Sequence, residues 1–186
     1  MNLTALPPKA GLTNAQLAWF RSDVLPLKNE LYRLALRITQ NRHDAEDIVQ
    51  ETMLRVWGRR EQWPEIESIE AFCLTICRNL ALDKQKSMDR HTSTSLGIEY
   101  DRPDRSYNSN PEEQMVQRDR LQMVRRLMDT LPEKQRTCIQ LRDVEGKAYK
   151  DIATIIGITE QQVKVNIFRA RQAIKKKFTE NDKYGL

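Results

Sequence analysis

Apolar residues recur at three- and four-residue steps through most of this chain, the spacing that lines one face of an α-helix. After a segment with Pro7, Pro8 and Gly11 and a short helical pattern around Ala15 to Phe20, Leu27, Leu31, Leu34 and Ile38 form one stripe that ends near Asn41. Over residues 43 to 57, Ile48, Val49, Thr52, Met53, Val56 and Trp57 make an inward face, while Asp47, Gln50, Glu51 and Leu54 share another. Trp57, Gly58, Trp63 and Pro64 mark an aromatic-rich connection, and Ser68 is the expected N-cap of a strong helix. Ile69, Phe72, Cys73, Ile76, Cys77 and Leu80 are its core stripe. Thr75, Arg78, Asn79, Leu82 and Lys86 fall on the opposite side, with Lys84 and Arg90 beyond.

Between about residues 87 and 110 the periodicity gives way to MDRHTSTSLGIEYDRPDRSYNSN, which reads as a linker. Asn110, Pro111 and Glu113 then carry the N-cap, N1-proline and capping-box signals of a helix start. Leu121, Val124, Leu127, Met128 and Leu131 give that helix its stripe; Pro132 opens another, with Cys138 and Leu141 inward, and Gly146 closes it.

Residues 149 to 178 predict a helix, a tight turn and a basic second helix. Gly157 is the expected left-handed residue that stops the first, and Thr159 with Gln162 forms a capping-box pattern that opens the second. Val163, Ile167, Ala170, Ile174 and Phe178 are its buried stripe. Gln161, Gln162, Lys164, Val165, Phe168, Arg169, Gln172, Lys175 and Lys176 point the other way. Such a face suits phosphates and base edges in a major groove, with Val165 and Phe168 available to thymine methyls; the bland reading is a solvated basic helix. The expected fold is all-α: two small helical domains joined by a flexible linker, the second containing a helix-turn-helix. Boundaries are expected at 25 to 88 and 111 to 178, with an N-terminal extension over 1 to 24, a linker over 89 to 110 and a tail over 179 to 186.

The 186 residues and 39% hydrophobic content allow modest cores, and the net charge of +5 from 31 bases against 26 acids suits a polyanionic partner. The three cysteines and the absence of a secretion signal favour reduced thiols in a cytoplasm. Cys73 and Cys77 share a helical face, but His43 and His91 are the chain's two histidines and leave a metal set incomplete, so both cysteines read as small core residues. No glycine-rich phosphate loop and no nucleophile–base constellation is present, so neither an enzyme nor a cofactor is expected. The face of Asp47, Gln50, Glu51 and Leu54 would repel DNA and suits a protein partner, against the alternative of an ordinary solvated face. Arg78, Asn79 and Lys86 beside the tryptophans suit single-stranded nucleic acid, against the alternative that Trp57 and Trp63 are core.

Taken in order, DAEDIVQETMLRVW (residues 44 to 57), AFCLTICRNLALDKQK (71 to 86), the linker, LPEKQR (131 to 136) and VKVNIFRARQAIKKKF (163 to 178) resemble the extracytoplasmic-function group of bacterial sigma factors. The resemblance spans roughly residues 25 to 178. It implies that the first domain is sigma region 2 and the second region 4. It implies that Asp47, Gln50, Glu51 and Leu54 meet the beta-prime clamp helices of core RNA polymerase, with the beta flap as a further contact. It assigns Trp63, the loop that follows it, Arg78, Asn79, Asp83, Lys84 and Lys86 to the opened −10 element. Gln161, Gln162, Lys164, Val165, Phe168, Arg169 and Lys175 fall to the −35 duplex. Val165 and Asn166 stand where the family often has Ser and Arg, and Phe72 where it often has Trp, so base preferences do not carry over. The resemblance also implies control by an anti-sigma factor, often membrane-bound, and a free monomer. The runner-up is a conventional helix-turn-helix regulator that binds a duplex operator unaided; a third reading is a helical interaction module without transcription activity.

Overall fold

The computed structural model describes residues 14 to 89 and 111 to 182, and the regular elements among them are helical. The linker core, the first thirteen residues, the Asn110 cap and the last residues of the tail lie outside that range. Helix α1 (Asn14–Trp19) passes through a widened turn (Phe20–Val24) and a tight one (Leu25–Leu27) into α2 (Lys28–Thr39). Gln40 ends α2 in the left-handed region, with φ of 54°, and its N–H bonds back to Leu36 O. Asn41 then caps α3 (Arg42–Gly58), its side-chain oxygen accepting from the Asp44 N–H at 3.1 Å. A tight helical turn (Arg60–Glu65) leads to α4 (Ile69–Asp89), capped as expected by Ser68, which accepts from the Ala71 N–H at 3.2 Å.

The second group comprises α5 (Pro111–Asp129), α6 (Glu133–Ile139) with a widened continuation over Gln140–Val144, α7 (Tyr149–Ile156) and α8 (Glu160–Asp182). Gly157 follows α7 with φ of 73°, where a side chain would be strained, and its N–H bonds to Ala153 O at 2.9 Å. Thr159 and Gln162 then form the capping box: the Thr159 N–H donates to Gln162 Oε1 at 2.9 Å and the Gln162 N–H to Thr159 Oγ1 at 3.2 Å.

Leu31, Leu34 and Ile38 of α2, Ile48 and Val56 of α3, and Leu74 and Cys77 of α4 are buried together. Each of the large ones contributes about 1.5–3 kcal/mol by leaving water. That cluster does not stop at the first group. Leu141, Ile152, Ile155, Val163 and Ile167 join it, because α4 packs on α7 and α2 on α6. A smaller cluster of Met128, Leu131, Ile139 and Ala170 holds α5 and α6 against α8.

Two expectations about faces are corrected. Leu121 is not part of the α5 stripe but 51% exposed. Arg78 does not lie on a solvated side: it is 7% exposed, because the side of α4 opposite its core stripe is covered by the second helical group. Leu74 and Ala81 are buried as well, so α4 is packed more widely around its circumference than its first stripe implies.

Candidate nucleic-acid and partner interface

On α8 the outward residues stand as the periodicity predicts. Gln161, Gln162, Lys164, Val165, Phe168, Arg169 and Lys175 are exposed, while Val163, Ile167 and Ala170 are buried beneath them. Phe168 is 62% exposed, an unusual position for an aromatic ring on a basic helix and one that leaves it open to a ligand. Lys164 lies over the Tyr149 ring of α7, with Nζ 5.7 Å from its centroid, and Asn166 donates back to Gln162 O at 2.8 Å. Behind this face, Arg171 grips Asp143 with two nitrogens, Nε at 3.0 Å and Nη2 at 2.5 Å, which fixes α8 to the end of the α6 segment. That contact holds the Arg171 guanidinium above its usual pKa. The α8 surface is therefore a firm basic face with apolar points.

On α3, Asp47, Gln50 and Leu54 are exposed, Leu54 at 66%, and Glu51 is half-buried. Glu51 is held by Arg55 one turn on, at 2.7 Å. Asp47 and Glu51 line a groove of about 270 Å³ between α3 and α4, whose other walls are Asp44, Ile48, Leu80, Asp83 and Lys84. Lys84 crosses the groove to Asp44 at 3.0 Å. The structure thus brings Asp83 and Lys84, expected with the −10 set, to the same groove as Asp47 and Glu51. Asn79 and Lys86 are exposed on α4.

Trp63 and Arg78 stand apart from these. Trp63 is 7% exposed, donates its indole N–H to Val56 O at 3.1 Å, and stacks among Trp19, Phe20 and Trp57. Its ring has no open face for a base in this arrangement, which matches the core alternative; Pro64, Glu65 and Glu67 after it are exposed. Arg78 donates to Glu133 of α6 at 2.8 Å.

Sequence reasoning missed a second charged constellation, between the helical groups. Arg33 makes a bidentate contact to Glu145, with Nε–Oε1 at 2.9 Å, and Gln140 donates to the same oxygen at 2.9 Å. Arg37 reaches Asp129 at 2.6 Å and Gln140 at 3.2 Å. Lys147 lies 2.9 Å from Glu30 and 2.5 Å from Glu70. Burial pushes the Glu30 carboxyl up, and the Lys147 hydrogen bond offsets only part of that. Burial works against the Lys147 ammonium, but its bonds to Glu70 and Glu30 outweigh it and raise its pKa. The one sequence signal was Arg33 and Arg37 one turn apart beside an apolar stripe, which does not separate a buried pair from a solvated one.

Among the described residues no cluster of His, Cys, Asp and Glu could hold a metal ion, and no helix is long and apolar enough to cross a membrane. Burial pushes the Cys73 and Cys77 thiols up to about 12 and Cys138 to about 11, so all three are unreactive core residues.

A helix-turn-helix with an exposed basic second helix, joined to a helical unit bearing an acidic groove, defines a DNA-binding protein class with a protein-docking surface. The sequence matches the family descriptions "Sigma-70 region 2" over residues 24 to 91 and "Sigma-70, region 4" over 121 to 174. It is 34% identical over 148 residues to the ECF RNA polymerase sigma factor SigE of Mycolicibacterium smegmatis, covering 79% of this chain and 56% of that one. It is 31% identical over 150 residues to SigL of Mycobacterium tuberculosis, covering 78% and 80%. The chain belongs to the extracytoplasmic-function group of RNA polymerase sigma factors. Its fold is similar to those of RpoE from Bartonella quintana, solved with the anti-sigma factor NepR (TM-score 0.69, 23% identity, 84% of this chain and 94% of that one), and CnrH, solved with the cytosolic domain of CnrY (0.64, 19%, 88% and 90%).

Proposed function

We propose that this protein binds core RNA polymerase and directs promoter-specific initiation. In this reading residues 25 to 88 act as region 2 and 111 to 178 as region 4. The α8 face of Lys164, Val165, Phe168, Arg169 and Lys175 reads the −35 duplex, and the exposed α3 face of Asp47, Gln50 and Leu54 with the adjoining groove docks the polymerase clamp. The observation that carries this reading is the coexistence of an acidic face and a basic recognition helix in one chain of this family: the first would repel DNA and calls for a protein, the second calls for DNA. Region 4 binding should be salt-sensitive through phosphate contacts. Capturing an unstacked −10 base costs a few kcal/mol, which contacts from both groups and the polymerase together offset. Control by an anti-sigma factor is part of the proposal and is supported by the fold's likeness to RpoE of Bartonella quintana, solved with the anti-sigma factor NepR.

The test is run-off transcription with bacterial core polymerase on upstream fragments from the protein's own genome. Discrete transcripts only in its presence support the reading. Absent transcripts together with tight, polymerase-independent binding to duplex DNA would favour a conventional helix-turn-helix regulator instead.

A further inference from the structure

The contact between the two helical groups combines an apolar centre with a charged surround, and the charges alternate in sign. From the first group Arg33, Arg37 and Arg78 meet Glu145, Asp129 and Glu133 of the second. In the opposite sense, Lys147 of the second group enters between Glu30 and Glu70 of the first. Glu145 and Lys147 flank Gly146, whose φ of 73° turns the chain sharply at the point where the sign reverses. The Lys147 N–H bonds to Leu141 O at 2.9 Å and Arg142 donates to Lys147 O at 2.7 Å, so the turn is braced from within its own group. The Glu145 side chain is 3% exposed, that of Lys147 11% and that of Glu30 13%, so these pairs are largely shielded from solvent and salt. Lys150 and Glu67, 74% and 90% exposed, add little.

Arg78, a residue expected to meet opened DNA, is consumed in this contact. Its guanidinium is turned to Glu133, and among the described residues its Nε has no hydrogen-bond acceptor. Parting the two groups breaks this buried pair but exposes the guanidinium to water or a phosphate, which also satisfies the Nε that the closed arrangement leaves without a partner.

We propose that the Glu145–Gly146–Lys147 turn is a charge-reversing latch that closes the two groups on each other in the free protein and withholds Arg78 from DNA, independently of any inhibitor. The proposal rests on the promoter-binding reading above for the role of Arg78, but not for the latch itself. A protein whose binding-competent form is populated about one-tenth of the time binds about tenfold more weakly than its open form, so breaking the latch should raise affinity for opened-strand DNA by that order.

The experiment uses the full chain carrying Glu46→Cys on α3 and Lys176→Cys on α8, both exposed, labelled with a fluorescent donor and acceptor; the three native thiols are buried and resist labelling. In Lys147→Glu three carboxylates face one another, and energy transfer between the dyes is expected to fall while helicity by circular dichroism is unchanged. Adding Glu30→Lys and Glu70→Lys to that variant restores the pairing with opposite signs and should restore transfer. Arg33→Glu with Glu145→Arg provides an independent swap, in which the singles open the protein and the double closes it. Affinity of the unlabelled variants for a −10 single-strand probe should rise about tenfold on opening, about 1.4 kcal/mol. Unchanged transfer in Lys147→Glu and in the Arg33 and Glu145 singles overturns the latch. So does opening without any gain in probe affinity. If transfer and affinity shift as expected but no variant supports run-off transcription, the promoter-initiation reading fails and the latch stands.

Discussion

The ring of Trp19 lies on that of Trp63, with centroids 4.2 Å apart, while the Trp63 indole N–H is fixed to Val56 O at 3.1 Å. Helix α1 therefore packs on the connection between α3 and α4 from outside, and Trp63 is a buttress under the exposed stretch that follows it. Trp63→Ala should cost about 3–5 kcal/mol of stability, the range for an aromatic lost from a core. Urea unfolding followed by circular dichroism measures it; a loss below about 1 kcal/mol, typical of a surface substitution, would return Trp63 to the candidates for direct base contact.

Thr159 and Gln162 share two reciprocal hydrogen bonds, and Gln162 is also a candidate for DNA contact. The two roles can be separated, because Gln162 accepts with Oε1 in the cap and its amide N–H groups remain to donate. Thr159→Ala should destabilise the protein by about 1 kcal/mol as a lost N-cap, with little change in −35 preference. A larger change in promoter choice than in unfolding midpoint would mean that the cap itself takes part in recognition.

The periodicity of α3 and α8 separated their inward from their outward sides, with Glu51, Met53, Trp57, Ile174 and Phe178 half-buried, because each of these helices has one packed side and one open side, which a 3.6-residue period reports directly. The same reasoning failed for α4. Arg78, Leu74 and Ala81 lie off the stripe that the periodicity marks as the core face, yet all three are buried, Arg78 against Glu133 tens of residues away in sequence. A period identifies which residues share a face but not what meets it, so the inter-group charges stayed hidden. Trp63 shows the same limit: an aromatic beside a proline in a loop reads equally as a stacking platform or as core, and only Trp19, Phe20 and Trp57 around it decide its placement.

Glu30 sits with Lys147, Glu70, Glu145 and Arg33 around it, and burial raises its pKa above the ordinary 4.5. A carboxyl raised in the native state binds its proton before the unfolded chain does. Its ionised form thus opposes folding at neutral pH, and that opposition is relieved as pH falls through the raised value toward 4.5. The stability of the native protein relative to Glu30→Gln should accordingly rise as pH is lowered through that interval. Urea titrations of both proteins across this range test it; a flat difference, or one that falls with pH, removes Glu30 as a titrating member of the interface.

Asp47 stands on the open face of α3, 57% exposed at its side chain, with His43 Nε2 no nearer than 3.9 Å to its carboxylate. Such a residue contributes little to the fold, so Asp47→Ala should leave the unfolding midpoint within about 0.5 kcal/mol of the parent. If the α3 face docks a basic helix of polymerase, the same substitution weakens holoenzyme assembly by about tenfold, the equivalent of 1.4 kcal/mol. Fluorescence anisotropy with core polymerase reads both the loss and its salt dependence, and unchanged assembly moves the docking site off this face.

Arg169 and Lys175 lie on the same exposed face of α8 but should behave differently. Arg169 sits nearer the helix start, where a recognition helix enters the groove, and its guanidinium can hold a base edge with two hydrogen bonds; Lys175, farther along, suits a phosphate as a point charge. Arg169→Ala should therefore cost about 1–3 kcal/mol on a matched −35 element and flatten the preference between matched and scrambled templates. Lys175→Ala should weaken both templates alike and reduce the salt dependence by about one counterion. Run-off transcription and anisotropy over a salt series distinguish the two; equal losses on both templates for Arg169→Ala would reassign it to the phosphate backbone.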